Sequence, residues 1–162
     1  MTARFAHVLV FLLSACDQHG GASNAASPAL KQAEVVARGR SVMPFDIDRT
    51  MHHFQKRSSG SIEQVVSTDG DSRQIALIRH HLEAEADRFK HGNYSDPSTI
   101  HGPGMPGLSR LAGGAGHISI RYKELRAGGE ITYEASDPTL VRAIHTWFDA
   151  QVQEHGDHAM TM

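Results

Sequence analysis

The sequence predicts an α+β domain: a ββα-ββα pseudo-repeat in which two β-hairpins form one four-stranded antiparallel sheet with two helices on one face. Three observations predict this fold. Apolar residues alternate in two pairs of short segments. Within each pair, a glycine-containing turn separates the two segments. A helical pattern with an N-cap residue follows each pair. A long connection rich in proline and glycine, residues 93–116, separates the two units.

The first ββα unit covers residues 50–92. Residues 50–56 and residues 62–66 alternate on either side of a turn at Ser58–Gly60, which predicts a hairpin. A helix is predicted after Asp71, an N-cap residue, because apolar side chains then recur every three or four positions. These side chains are Ile75, Ile78, Leu82, Ala86 and Phe89.

The second unit repeats this order between residues 118 and 156. Alternating residues flank a turn at Gly128–Gly129, and Asp137 followed by Pro138 predicts the start of a second helix that Gly156 ends. Matching positions in the two units suggest a duplication: Gly60 with Gly129, Ile62 with Ile131, and Ser67 with Ser136. Convergent patterning of two amphipathic units explains the similarity equally well.

The amino-terminal residues predict export from the cytoplasm and attachment to a bacterial membrane. The apolar run in residues 1–15 is too short to cross a hydrocarbon core of ~30 Å as a helix, so it is predicted to be a signal peptide. Cys16 follows Leu13-Ser14-Ala15, a string similar to the lipobox of bacterial lipoproteins, whose cysteine is lipidated. We expect an extracytoplasmic protein on the periplasmic face of the inner or outer membrane.

Composition divides the rest of the chain into three parts. Residues 16–40 are rich in Ala, Ser, Gly and Gln and are predicted to form a flexible tether. Residues 41–156 are long enough for a single domain, and residues 157–162 are predicted to be a disordered tail. A formal net charge of −2 and the lack of a basic stripe argue against nucleic-acid binding, whereas a protein partner cannot be specified.

Histidine is unusually abundant, since 12 of the 162 residues are histidine and only one is cysteine. Four histidines from different predicted elements are candidate metal ligands: His52, His81, His101 and His145. His52 shares a strand face with Phe54, which is expected in the core, whereas His81 and His145 flank the apolar stripes of the two helices. His101 lies in the Pro/Gly-rich connection. Three further residues are candidates to complete or orient the set: Glu85, Met105 and His155.

Imidazoles from several elements suit zinc or copper, and a thioether such as that of Met105 would favour copper. The leading hypothesis is therefore a membrane-anchored metal-handling or metal-sensing domain. Two alternatives remain open. One is a periplasmic enzyme that uses a histidine with Glu85, or a metal-bound water, in a cleft under the Pro/Gly loop. The other is a binding module for haem, a small molecule or a protein, without catalysis.

Residues 45–156 resemble a family of small bacterial extracytoplasmic proteins, many of which bear the label aspartate carbamoyltransferase. The matching strings are Asp48–Phe54, Ile78–Leu82, Ile100–Gly102, Met105–Leu108 and Ala143–Gln151. The residues do not support the activity in that label, which would need two domains and a Ser-x-Arg-Thr phosphate loop at a helix start. Here Ile47 stands where that serine is needed, and Asp48-Arg49-Thr50 leads into a predicted strand.

Overall fold

The computed structural model describes residues 27–162 and confirms the α+β class. The helices are α1 (Pro28–Val42), α2 (Ser72–Lys90), α3 (Ser95–His101), α4 (Leu108–Gly113) and α5 (Pro138–His155). The strands are β1 (Thr50–Arg57), β2 (Gly60–Ser67), β3 (Ile118–Leu125), β4 (Gly128–Ala135) and β5 (Ala159–Thr161). Short 3₁₀ turns precede β1 and β3 and connect α5 to β5.

The four predicted strands form one antiparallel sheet, and the chain terminus adds a fifth. The strand order is β3-β4-β2-β1-β5, in which β5 pairs with β1 in parallel. The backbone N–H of Met162 donates to the carbonyl oxygen of Phe54 at 2.9 Å. The structure thus differs from the expected disordered tail at residues 157–162, because the free edge of β1 supplies hydrogen-bond partners for these residues.

The two main helices begin at the predicted caps. The side chain of Asp71 accepts a hydrogen bond from the backbone N–H of Gln74 at 2.8 Å, and that of Asp137 accepts from the N–H of Thr139 at 2.7 Å. Gly156, with φ of 56°, ends α5 in the left-handed region that glycine favours. Both helices were predictable because these signals are local in sequence.

The hydrophobic core lies between the sheet and the helices α2 and α5, which cover one face of the sheet. Trp147 of α5 is at its centre, with its ring centroid 5.5–6.0 Å from four other aromatic rings. These rings belong to Phe89, Tyr94, Tyr133 and Phe148. Edge-to-face contacts of this kind stabilise a core beyond the area that they bury.

The pairing register does not place the matched residues of the two hairpins on matching faces. Ile131 pairs with Glu63, and Ile62 pairs with Thr132. Directly paired residues of an antiparallel ladder project to the same face, so Glu63 shares the helix-covered face with Ile131, whereas Ile62 lies on the opposite face. The duplication therefore stays a prediction, and a glutamate occupies a core position that the pattern did not indicate.

The predicted tether contains a helix instead of a flexible segment from residue 28 onward. Ser27 and Pro28 supply an N-cap and a first-turn proline for α1. The Lys31 Nζ donates to the carbonyl oxygen of His101 at 2.8 Å, and Val35 is buried. The folded part of the chain thus begins before residue 41, because α1 packs against α3 and α5.

Some expectations concern residues that the structure does not describe. The signal peptide (residues 1–15), the lipidation site Cys16 and the first part of the tether lie outside the described residues. Among the helices between residues 27 and 162, none has the length and apolar character needed to cross a membrane.

The long connection rich in proline and glycine contains two short helices, α3 and α4. His101 is consequently the last residue of a helix and not a loop residue. Gly107, with φ of 83°, allows the connection to pack on α5, because a Cβ there would lie 2.4 Å from the carbonyl oxygen of Ala143. The connection is thus held against the domain above the core.

Candidate metal centre

A small polar pocket lies inside the domain, between the sheet, α2, α3 and α5. Its volume of about 20 Å³ has room for roughly one water molecule or one metal ion. The polar side chains that line it come from all the surrounding elements: His52, Glu63, His81, Glu85, His101, Gln151 and His155. Each of these side chains except His155 belongs to a residue that is less than a tenth exposed.

His81 and Glu85 form one wall of the pocket, one turn apart on α2. The side chains are 7% and 8% exposed, and 3.5 Å separates His81 Nε2 from Glu85 Oε2. This contact lacks hydrogen-bond geometry, so His81 Nε2 has no hydrogen-bond partner among the described residues. The ring of Phe45 packs edge-on against His81 with centroids 5.5 Å apart and thereby keeps solvent from this wall.

Asp96, in the first turn of α3, completes a cluster with His81 and Glu85. One potential ligand atom from each of the three residues lies within 4.8 Å of the others. The Arg88 guanidinium donates to Asp96 Oδ2 at 2.6 Å, which positions this carboxylate and leaves Oδ1 for another bond. An imidazole and two carboxylates from α2 and α3 could therefore hold one cation.

The electrostatics of the pocket favour uncharged forms of its groups. Burial lowers the pKa of His81 to about 4, so the imidazole is neutral at neutral pH and has a free lone pair. Burial, and secondarily the neighbouring Glu63, raise the pKa of Glu85 well above its ordinary value. A metal ion would reverse this preference, because its charge stabilises a carboxylate that desolvation alone disfavours.

Three other histidines line the opposite side of the pocket and contact one another. The rings of His52 and His155 stack with centroids 4.8 Å apart and an angle of 18° between their planes. His101 meets His155 edge-on at 4.9 Å. His101 Nδ1 is 2.8 Å from Glu154 Oε2, and Lys31 Nζ lies 3.6 Å from the same oxygen. We refer to His52, His155 and His101 as the imidazole row.

Two predicted site residues lie away from this pocket. His145 Nε2 is 3.0 Å from the carbonyl oxygens of both Arg57 and Gly60, so this ring binds the β1–β2 turn. Its side chain projects from α5 toward the β1–β2 turn. A helical wheel shows on which face of the helix His145 lies, but it does not distinguish a direction toward this turn from a direction toward the cleft. Met105 is 5% exposed and packs in the hydrophobic core. The structure thus groups His52, His81, His101, Glu85 and His155, but neither His145 nor Met105.

Several buried polar atoms at the pocket have no hydrogen-bond partner. Among residues 27–162, seven buried side-chain nitrogen or oxygen atoms lack a hydrogen bond, and three of them belong to residues that line the pocket: His52 Nδ1, His81 Nε2 and Trp147 Nε1. Leaving such an atom unpaired costs roughly 1–3 kcal/mol, so native proteins rarely do it without a functional reason. Three of them around a space for one small species indicate a ligand site.

The sequence pattern did not indicate Glu63, Asp96 or Glu154. Glu63 lies on a strand whose alternation could be assigned in either phase, and its burial follows only from the pairing register. Asp96 is far from His81 in sequence and meets it through the fold of the connection. The position of Glu154 next to His155 did not indicate a role in the site, because a charged residue near a helix end is ordinarily solvated.

Known proteins give no independent guide to this pocket. In comparisons with protein families, curated proteins and solved structures, none matches the chain. The function must therefore be inferred from the geometry of the pocket itself.

Proposed function

We propose that the protein binds one transition-metal ion, zinc or copper, through His81, Glu85 and Asp96, and serves in metal handling or sensing. The observation that supports this best is the convergence of three ligand atoms, one each from His81, Glu85 and Asp96, at a buried histidine whose Nε2 has no hydrogen-bond partner. Neutral imidazole is a common ligand of both metals, and carboxylates complete many zinc sites. A fourth position would be filled by water, for which the pocket has space.

Charge and size both favour an ion over a larger ligand. A divalent cation would be balanced by the carboxylates of Glu85 and Asp96, while Arg88 outside them keeps Asp96 in place. A volume of about 20 Å³ is far below the roughly 300 Å³ or more of pockets that take cofactors or drug-sized molecules. The pocket is thus too small for a haem, and it leaves a metal-bound water no space for an organic substrate.

The first prediction is that His81→Ala weakens zinc binding about 100-fold, because it removes the only imidazole of the cluster. Isothermal titration of untagged protein with Zn²⁺ measures the dissociation constant and the stoichiometry, with one site per chain expected. His80→Ala is the matched control, since His80 is exposed on the solvent side of the same helix. A metal-free wild-type protein that binds no Zn²⁺ or Cu²⁺, or equal losses in both variants, would contradict the proposal.

We further propose that the mature protein is attached to a membrane through a lipid on Cys16. Residues 17–27 would then link the lipid to α1, whose first residue is Pro28. This attachment would place the metal pocket close to the outer surface of the cytoplasmic membrane or to the inner surface of the outer membrane. The support is the string Leu13-Ser14-Ala15-Cys16 after a short apolar segment.

The second prediction is that Cys16→Ser moves the protein from the membrane fraction to the soluble fraction, because a hydroxyl cannot accept the diacylglyceryl group. Fractionation with mass spectrometry of the amino-terminal peptide measures this. Ser14→Ala keeps a small residue before the cysteine and should leave the protein lipidated. An unmodified Cys16 in membrane-associated wild-type protein would contradict the lipid anchor while leaving metal binding untouched.

A further inference from the structure

We infer that the imidazole row is the route by which a metal ion exchanges between solvent and the buried site, with His52, His155 and His101 binding the ion in succession. This inference rests on the proposed function, because it assigns a path to the site formed by His81, Glu85 and Asp96. It gives a role to three histidines and to Glu154, which are not ligands in the three-residue site.

The row provides closely spaced binding positions for a cation. His155 lies between the other two rings, with centroid distances of 4.8 Å to His52 and 4.9 Å to His101. At these distances neighbouring rings are in contact, so an ion released by one ring lies beside the next. All three residues line the same pocket as His81 and Glu85. The inner end of the row therefore opens on the proposed site.

The outer end of the row approaches the surface beneath α1. Side-chain exposure rises along the chain of contacts, from 2% at His101 to 16% at Glu154 and 34% at Lys31. The Glu154 carboxylate would attract a cation and remove part of its water shell. Lys31, on a flexible side chain, covers this carboxylate at 3.6 Å and is the group that must move aside when an ion enters.

Hydrogen bonding prepares His101 to receive the ion. Its Nδ1 lies 2.8 Å from Glu154 Oε2, and when Nδ1–H donates to the carboxylate, the lone pair resides on Nε2. A carboxylate behind an imidazole orients the ring and increases its basicity at metal sites. Burial lowers the pKa of all three imidazoles, so they remain neutral and able to bind a metal ion at neutral pH.

Ring orientation argues for successive contacts rather than for a fixed second site. The lone pair of an imidazole nitrogen lies in the plane of its ring. The planes of His52 and His155 are within 18° of parallel and stacked, so their lone pairs do not converge on one point between them. The two rings can thus pass an ion along their edges but cannot chelate it together in this arrangement.

The route predicts that substitutions in the row change the rate of metal exchange and not the equilibrium affinity. His155→Leu and His101→Leu keep the side-chain volume and remove the ligand nitrogens. We expect each to slow Zn²⁺ uptake and release about tenfold, with a dissociation constant within about threefold of that of the wild type. Stopped-flow mixing of zinc-loaded protein with the chelator 4-(2-pyridylazo)resorcinol measures release, and mixing of metal-free protein with Zn²⁺ measures uptake.

Two controls keep the outcome interpretable. His53→Leu changes the neighbour of His52 that projects from the other face of β1 and should leave both rates unchanged. Glu154→Gln, at a partly exposed position, should slow exchange without threatening the fold. Thermal unfolding of each variant in the presence of a chelator verifies that the domain is folded.

The possible results separate the route from the site. If wild-type protein binds zinc but the His155, His101 and Glu154 variants exchange it within twofold of the wild-type rate, the route is wrong and the site stands. If His155→Leu or His101→Leu abolishes stoichiometric binding, these residues are fixed ligands, which also overturns the route. If wild-type protein binds no metal, the site and the route both fail.

Discussion

Glu63→Gln is expected to stabilise the metal-free protein by about 3 kcal/mol at pH 8 and to change its stability little at pH 4.5. Glu63 is 6% exposed on the helix-covered face of the sheet. The Tyr133 hydroxyl donates to its Oε2 at 3.1 Å. Burial raises the pKa of Glu63 from 4.5 to about 7.

The sign of this effect follows from proton binding in the two states. Between pH 4.5 and about pH 7 the carboxyl of the unfolded chain releases its proton, whereas that of the folded protein retains it. The unfolded state therefore gains stability as the pH rises, and folding stability falls until the folded carboxyl also ionises. Glutamine does not ionise and can still accept the Tyr133 hydrogen bond, so the folding stability of the variant does not fall in this way as the pH rises.

Urea unfolding at pH 4.5, 6 and 8, with a chelator present, measures the difference in free energy of unfolding between Glu63→Gln and the wild type. Glu83→Gln is the control, because Glu83 is exposed on α2 and its substitution should give a small difference that is independent of pH. A difference for Glu63→Gln that is the same at pH 4.5 and pH 8 would show that this carboxyl is not the protonated buried group that the fold implies.

The parts of the fold that could be predicted from the sequence are those specified by neighbouring residues. Asp71 and Asp137 cap helices through hydrogen bonds two or three residues away, and the β1–β2 turn at Ser58–Gly60 lies between strands that pair directly. The helix α1 and the strand β5 could not be predicted in this way. Their stability comes from distant partners, namely the carbonyl of His101 for Lys31 and the edge of β1 for Ala159.

In the candidate site, too, the parts that could be predicted are those that depend on neighbouring residues in the sequence. His81 and Glu85 are one helical turn apart, so their proximity follows from α2 alone. His52 could be placed inward because it shares a strand face with Phe54. Asp96 meets them only because α3 forms within the Pro/Gly-rich connection, and a helical wheel cannot reveal that His145 points to the hairpin turn instead. Periodicity gives the face of a residue, whereas ligand geometry depends on the tertiary packing.

Trp147→Ala is expected to destabilise the domain by about 4 kcal/mol, the largest single effect that the structure indicates. Trp147 is 1% exposed and contacts aromatic rings from α2, β4, α5 and the segment before α3. Truncation removes the ring around which these elements pack and leaves a cavity that they cannot close together. Trp147 also lines the metal pocket, so the cavity would admit solvent to His81 and Glu85.

Trp147→Phe is the matched variant that separates packing from hydrogen bonding. It retains an aromatic ring and removes the indole Nε1–H, which is buried without a partner among the described residues. We expect a loss of only about 1 kcal/mol, because the smaller cavity is partly offset by the removal of an unsatisfied donor. Chemical denaturation of the metal-free forms measures both values. If Trp147→Phe cost as much as Trp147→Ala, the indole N–H would have to bond a species inside the pocket, and the aromatic packing would not be the main source of the stability at this position.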